Sequence, residues 1–440
     1  MHGPAPLGHG AVISGHLLDV LLIASTAGLL AALSVLLMRR WRPLCAVFWV
    51  GVICVVPYWV GVTPKVFIPP ATLAAVLIVL ALLPVSGVKL HAVDALVLLL
   101  VVGFAAAFVG GTSILSVGAT LLVEWVPAYV VGRLLATSLD IRWMYGVIAV
   151  GLTIVAVLAL LEFLTSYNPF VHIAVDNTQF QSWAGLQTRG GQIRAEGAFG
   201  HSIALGASLG LAVPLAIGSR FRPGVKVVMV GLMSCAAIVT FSRIGMATCV
   251  LGVVLSMVFL RGGARVRTRV FALVLLVVGF AVAYPAVGSV FADAGSEATN
   301  SASYRVDLVS LVRSMRVLGL ASSFQRNAAG QGYFSDYRSI DSELVLLGLT
   351  FGLLVLALVV IALIGAVVVM LRGRATPATV AIVAQIPAFA TVALITQYAA
   401  FVWFVAGVAV TSQLAARPEM TDRSAGVPTE GRLPRSVVAR

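Results

Sequence analysis

The sequence predicts an all-α polytopic membrane protein with about 12–13 transmembrane helices and one large extracytoplasmic loop that contains an amphipathic helix. Two observations lead to this prediction. Of the 440 residues, 60% are hydrophobic and only 10% are charged, a composition that soluble globular domains do not have. In addition, apolar runs of about 17–25 residues, the length that crosses a bilayer, follow one another along almost the whole chain.

Each apolar run predicts one helix, and the polar residues between the runs mark the ends of the helices. The predicted helices are 17–38, 44–62, 66–84, 92–110, 114–135, 143–165, 199–219, 225–242, 244–260, 270–290, 342–371, 378–396 and 399–415. The last two come from one apolar run that only Thr396, Gln397 and Tyr398 interrupt, so we expect two short helices with a tight re-entry. Residues 1–415 thus form a single transmembrane domain, and 416–440 are expected to be a disordered basic cytoplasmic tail.

The distribution of lysine and arginine predicts the orientation. Twenty of the 29 basic residues fall in alternate loops and in the tail, which the positive-inside rule assigns to the cytoplasm. The net charge of +13 therefore has a topological explanation, and we expect no nucleic-acid partner. The protein is predicted to lie in the cytoplasmic (inner) membrane with its C-terminus in the cytoplasm. All four cysteines lie in apolar runs, so no metal site is expected, and no cofactor is predicted.

The predicted outer loops contain arginines, although basic residues are usually sparse on that side of a membrane. Apart from Lys65, every basic residue on the predicted outer side is an arginine between positions 189 and 338. Arginine forms bidentate hydrogen bonds with phosphates, so anion binding is the leading interpretation. Arg194 lies at the mouth of a span, and Arg243 lies between two spans with almost no loop to carry it. For Arg243, snorkelling to the interface is the alternative.

Two outer loops are expected to form the active-site face. Loop 166–198 is rich in Gln, Asn, Ser and Gly, with Trp183 among them, as a saccharide surface requires, although an ordinary polar loop would look similar. Loop 291–340 has an apolar stripe of helical period between 303 and 320, with arginines beside it. It predicts an amphipathic helix on the outer membrane surface. The arginines of this predicted helix are Arg305, Arg313 and Arg316. Contact with anionic lipid headgroups is the alternative role for Arg313 and Arg316.

Carboxylates complete the set of candidates. Asp341 and Glu343 stand where the chain re-enters the membrane after loop 291–340. Glu124 lies in the middle of a span, where an acid is either functional or a protonated or paired structural group. Glu162 is placed near the outer end of its span and is expected to help position Arg194.

Four local patterns between about 160 and 415 resemble the O-antigen ligase/polymerase superfamily. Arg194, Gly197 and Phe199, followed by His201, resemble the R-x-x-G-x-F stretch that opens a span. Ser242-Arg243 with Gly245 is similar to the family's S-R-G. The other two patterns are Ser303-Tyr-Arg305, which resembles S-x-x-R with looser spacing, and the run Gly330-Gln-Gly332, Asp341-Ser-Glu-Leu344 and Gly348–Gly352, which is similar to G-x-G, D/H-N-x-x-L and G-L-x-G-L.

The resemblance implies inverting, metal-independent glycosyl transfer at the outer face of the membrane from a saccharide on a polyprenyl pyrophosphate. It implies three groups of site residues. Catalysis would fall to Asp341, Glu343 and Arg305; pyrophosphate binding to Arg194, Arg243, Arg305 and Arg313; and saccharide binding to His201, Trp183 and Arg338. The base stays open between Asp341 and Glu343, with His201 a distant third.

Polymerase, ligase and transporter remain as alternative functions. Ligases of the family carry His where this chain has Asp341, and Asn where it has Ser342, which favours a polymerase that extends a chain on its carrier. A transporter or flippase of lipid-linked saccharides is the alternative from another class. The expected partners are the lipid-linked oligosaccharide and the bilayer, with a chain-length regulator or a repeat-unit flippase as possible protein partners.

Overall fold

The computed structural model describes residues 9–85, 87–260, 308, 310–327, 332–337 and 339–424. The helices are α1 His9–Arg40, α2 Pro43–Val55, α3 Pro70–Leu82, α4 Ala92–Val109, α5 Leu115–Ser138, α6 Ile141–Thr165, α7 Thr178–Trp183, α8 Ser202–Gly218, α9 Pro223–Val239, α10 Arg243–Phe259, α11 Glu343–Phe351, α12 Leu353–Leu371, α13 Pro377–Ala384, α14 Ile386–Thr391 and α15 Thr396–Ser424. The strands pair as two antiparallel hairpins, β1 Thr188–Arg189 with β2 Gln192–Ile193, and β3 Phe324–Arg326 with β4 Gly332–Phe334.

The helices agree with the predicted class, an all-α membrane protein. In the described part of the chain, five helices are long and apolar enough to cross a membrane, namely α4, α5, α6, α12 and the Thr396–Ala416 part of α15. Six further apolar helical segments have 10–17 residues. Helices α2 and α3 are shorter than predicted. Pro57 follows the C-terminal end of α2, and Pro69 and Pro70 mark the N-terminal end of α3. The count of 12–13 spans stays a prediction, and the span at 270–290 lies outside the described residues.

The predicted helix 342–371 is wrong as a single element, because it breaks at Gly352. Gly352 has φ +99° and separates α11 from α12. A Cβ atom at this position would lie 2.7 Å from the Cα of Leu318 and from the carbonyl oxygen of Val317. Only glycine combines this backbone conformation with such a close approach. The break at Gly352 therefore leaves room for the backbone of Val317 and Leu318.

The amphipathic helix predicted over 303–320 is wrong beyond Ser314. The described residues contain a short 3₁₀ helix, Leu311–Ser314, after which the chain becomes extended. The backbone N–H groups of Gly319, Leu320 and Ala321 donate to carbonyls of Phe351, Thr112 and Leu349, respectively. These long-range bonds replace the helical ones. Leu308, Leu311 and Met315 of the predicted stripe are buried against α11 and its surroundings, so this segment packs into the protein.

The two short helices predicted over 378–415 are only partly right: the first arm is divided into α13 and α14, the second arm is one long helix, α15, and the break between the arms lies earlier than expected. It spans residues 392–395, and α15 begins at Thr396. The two arms are antiparallel: the Thr376 hydroxyl, at the start of α13, bonds the Ser412 hydroxyl at 2.8 Å, and Gln413 Nε2 donates to Thr379 Oγ1 at 2.7 Å. Helix α15 runs to Ser424, past the predicted start of the tail at 416, and 425–440 lie outside the described residues.

A buried ion pair joins α4, α5 and α15. Arg133 is only 4% exposed inside α5. Its Nε lies 2.8 Å from Asp94 Oδ1, and its Nη1 donates to the Thr411 hydroxyl. Breaking a buried pair of this kind is costly because one charge stays uncompensated. The close approach of α5 and α15 at Gly132 and Gly407 brings these groups together.

Helices α8 and α10 touch backbone to backbone. A Cβ atom at Gly245 would lie 2.7 Å from Gly206 Cα, and one at Gly206 would lie 3.1 Å from Gly245 Cα. One helical turn or so further on, a Cβ at Gly210 would lie 2.9 Å from the backbone nitrogen of Cys249. Small residues allow this packing inside a membrane. It places the first residues of the two helices side by side.

Gly245→Ala should therefore destabilise the protein, because the added methyl group meets the α8 backbone, which cannot rotate away. We expect a cost of about 1–3 kcal/mol, seen as a lower midpoint of thermal unfolding in detergent. Gly231→Ala is the matched control: Gly231 lies within α9 with nothing within 4 Å of the added Cβ, and alanine favours the helix by about 1 kcal/mol. Equal unfolding midpoints for the two variants would contradict the packing argument.

Candidate functional site

A three-residue turn between α9 and α10, Thr240–Ser242, is the centre of the candidate site. Phe241 has φ +47°, a strained conformation for an aromatic residue and one that concentrates at functional sites. The turn is held from both sides: the Ala195 N–H donates to Val239 O at 3.2 Å, and Ser242 Oγ caps α10 by accepting from Gly245 N at 3.1 Å. The turn and the segment before α8 thus form one unit.

Three arginines gather around this turn. Arg194 is 7% exposed; its Nε donates to Thr240 O at 3.0 Å and its Nη1 to Gln187 Oε1 at 3.3 Å. Arg189, on the β1–β2 hairpin, donates from Nη1 to Phe241 O at 2.9 Å. Arg243 follows the turn directly as the first residue of α10 and is exposed. The structure therefore brings two predicted arginines, 194 and 243, together and adds Arg189.

The segment that carries Arg194 is held by Glu162. The Glu162 carboxylate accepts from the backbone N–H of Gly197 at 2.8 Å and of Glu196 at 3.2 Å. Asn168 Nδ2 bridges Glu162 Oε1 and Gly197 O, at 3.0 and 3.1 Å. Glu162 thus positions the loop two residues beyond Arg194 and does so through the backbone.

Glu196 is a second buried acid of this segment, and the sequence analysis did not single it out. It is 1% exposed, and its Oε1 accepts from Gln187 N at 2.9 Å. Burial raises the pKa of Glu196 to about 8, and the Glu162 carboxylate acts in the same direction, against the Gln187 N–H and the Arg194 charge. At neutral pH Glu196 is therefore mainly protonated. The signal in the sequence was its place between Arg194 and Gly197 at the start of a span.

Trp183 and His201, both predicted to bind saccharide, lie together beside the arginines. Their rings are edge to face, with centroids 6.0 Å apart. His201 Nδ1 caps α8 by accepting from Ile203 N at 3.1 Å. Burial and the Arg194 guanidinium lower the pKa of His201 to about 4. The imidazole is thus neutral at pH 7, its proton lies on Nε2, and it is a hydrogen-bond donor next to an aromatic ring.

Asp341 and Glu343 differ in their surroundings. Asp341 is exposed and accepts from Ser339 Oγ at 3.2 Å. Glu343 is 4% exposed; its Oε2 accepts from Leu394 N at 2.8 Å, and its Oε1 has no hydrogen-bond partner among the described atoms. Glu343 also lines a large, mainly apolar groove. Asp341 is thus open to a substrate from water, and Glu343 to one in the groove.

A mainly apolar groove of about 2210 Å³ runs along α9 and α10. Residues from both ends of each helix line it, Pro223 and Ile238 of α9 and Met246 and Met257 of α10. The groove therefore extends over the whole length of these helices. Met246 and Arg243 are three residues apart on α10, on the same face of the helix. Ile238 and Met246, which flank the turn and Arg243 in the chain, both line the groove, so the turn lies at one end of it.

The remaining predicted residues do not join this cluster in the described part of the chain. Arg313 is exposed on the Leu311–Ser314 helix, and no described contact links it to the turn. Arg305 and Arg338 lie outside the described residues. The pyrophosphate role of Arg305 and Arg313 and the saccharide role of Arg338 stay predictions.

The pH dependence of stability tests the Glu196 environment. The pKa of Glu196 is about 8 in the folded protein and 4.5 for an ordinary Glu. The contribution of the protonated carboxyl group to the free energy of unfolding is therefore full below about pH 4.5 and is lost as the pH rises to about 8. Relative to Glu196→Gln, the wild type should lose stability across this window, by at most about 1.4 kcal/mol per pH unit. Unfolding midpoints measured from pH 5 to 9 check this; a difference that does not change with pH would contradict it.

Comparisons with protein families, with curated proteins and with solved structures give no match to this chain. Function is therefore inferred from the geometry of the arginine cluster, the aromatic pair and the groove.

Proposed function

We propose that this protein transfers a saccharide from a polyprenyl pyrophosphate carrier to an acceptor hydroxyl, as a membrane-embedded polysaccharide polymerase. The observation that carries the proposal is the convergence of Arg189, Arg194 and Arg243 on one strained turn at the mouth of a long apolar groove. A cationic head site joined to an apolar groove is complementary to a lipid with a diphosphate headgroup. The superfamily resemblance of Arg194 and Arg243 favours this chemistry.

The electrostatics of the turn suit a pyrophosphate leaving group. Helices α8 and α10 both begin beside it, and a helix N-terminus carries partial positive charge and free N–H groups. The described hydrogen bonds of Arg189 and Arg194 to backbone carbonyls fix the direction of the guanidinium groups. Preorganised cations of this kind stabilise negative charge as it develops on a leaving group.

The groove is the proposed place for the polyprenyl chain. Its lining is mainly apolar, and it follows α9 and α10, each of 17 residues, over about 25 Å at 1.5 Å per residue. A chain bound there with its headgroup beside the turn brings the diphosphate to Arg243. The aromatic face of Trp183 and the neutral His201, on the other side of Arg194, are the proposed contacts of the sugar.

The acceptor hydroxyl needs a general base, and Asp341 is our first assignment because its carboxylate is exposed to an incoming acceptor. Glu343 is the alternative, because it faces the groove. In this proposal Arg305, at the start of the predicted outer helix, assists the leaving group, and Arg338 contacts saccharide. The protein lies in the cytoplasmic membrane with this face outward.

Replacing Arg194 or Arg243 by Ala should abolish polymer formation, because the diphosphate loses a fixed cation. Losses of about 10²–10³-fold are typical when one such group is removed. Lysine should restore activity only in part, because it lacks the bidentate fork. The assay uses purified protein in detergent with lipid-linked repeat units, and polymer length is read on a gel. Asp341→Asn and Glu343→Gln, compared in the same assay, assign the base.

Arg220→Ala is the matched control, since Arg220 is an exposed arginine paired with Asp140 and should leave polymer formation unchanged. Wild-type polymer from Arg194→Ala would contradict the proposal. If the wild type makes no polymer but moves lipid-linked saccharide across liposome membranes, the protein is a transporter. Transfer of a finished chain to a different acceptor would identify a ligase.

A further inference from the structure

A second, much smaller cavity lies between α2, α3, α5 and α15. It has space for the centre of one water-sized sphere, about 10 Å³, which is enough for one water molecule or one small ion. Among the residues that line it, Tyr58, Glu124, Thr396 and Gln397 have polar side chains that contain oxygen, as does Thr72, and most of the others are apolar. Neither the groove nor the arginine cluster includes these oxygens.

Helix geometry around Glu124 is unusual. Residues Thr120–Trp125 form a π-helical turn within α5, so that Val126 N donates to Leu121 O. The Thr72 hydroxyl donates to Val123 O in this turn. Insertions of this type occur frequently at functional sites. Here the turn is the element that presents the Glu124 carboxylate to the cavity, with Tyr58 OH donating to its Oε1 at 2.9 Å.

Two other oxygens of the lining have no hydrogen-bond partner among the described atoms. They are Thr396 Oγ1 and Gln397 Oε1, on side chains that are 3% and 4% exposed. Buried polar atoms without a partner cost free energy and call for an explanation. Thr396 also has φ +49°, a rare conformation for a β-branched residue. The first two residues of α15 therefore combine a strained backbone with buried oxygens that lack a hydrogen-bond partner among the described atoms.

We propose that this cavity binds one small monovalent cation of the sodium class, with Glu124 as the charged ligand and Thr396 Oγ1 and Gln397 Oε1 as neutral ligands. Hard cations take oxygen ligands. A single carboxylate compensates a single positive charge, and buried charges need such compensation. The site therefore suits a monovalent ion better than a divalent one.

The cation would stabilise the loop that carries the arginine cluster. Gln397 Nε2 donates to Val56 O at 2.9 Å and to Ala198 O at 2.8 Å. Ala198 lies four residues after Arg194. An ion held by Gln397 Oε1 thus fixes the amide whose nitrogen holds this loop. The binding site itself does not depend on glycosyl transfer.

Equilibrium binding of ²²Na⁺ to the purified full-length protein in detergent tests the proposal, with choline chloride holding the ionic strength constant. The wild type should bind about one sodium per chain, as one water-sized cavity allows. Glu124→Gln should bind none above background. Thr396→Val should bind about tenfold more weakly, as expected when one neutral ligand is lost.

Asp140→Asn is the control, because it removes an exposed carboxylate in a loop and should keep full binding. Size-exclusion chromatography checks that each variant is folded, and if Glu124→Gln is not, Thr396→Val decides. Absence of sodium binding by the wild type would show that the cavity holds only water and would overturn the proposal. Unchanged binding in folded Glu124→Gln, or binding that requires a divalent ion, would also overturn it.

Discussion

The backbone contact between Gly206 and Gly245 is the constraint on which the candidate site depends. It sets the separation of α8 and α10 within the first five residues of each helix, so the segment before α8 and the turn before α10 must meet. Arg194 then reaches the Thr240 carbonyl, and Arg243 projects from the same turn. Larger residues at either glycine would move the two arginines apart before any ligand is considered.

Neutral acceptors and protonated acids allow the cluster to keep its positive charge. Arg194 and Arg189 bond carbonyl oxygens of the turn, Glu196 is held mainly protonated by burial, and His201 is neutral. Glu162, the acid that organises the loop, directs its carboxylate to backbone N–H groups. These contacts hold the guanidinium groups in position before a ligand arrives, which is the preorganisation that the proposed binding of an anionic headgroup requires.

Local signals in the sequence predicted the helical class and, to within two residues, the starts of α4, α6 and α10, and the family resemblance implied one site for Arg194 and Arg243. Non-local contacts could not be predicted in this way. The helical period of 303–320 is real, yet long-range bonds from Gly319, Leu320 and Ala321 override it, and Gly352 breaks a span because another segment approaches it. The pair of Arg133 and Asp94 joins residues that are 39 positions apart, so no local signal predicts it.

A double-mutant cycle on lipid binding tests the central claim most directly. The dissociation constant of a polyprenyl pyrophosphate is measured for the wild type, Arg194→Ala, Arg243→Ala and the double variant. If both arginines hold one headgroup, their effects do not add, and the coupling free energy is about 0.5–3 kcal/mol. Additivity within about 0.3 kcal/mol would show that the two residues act independently and would contradict the account.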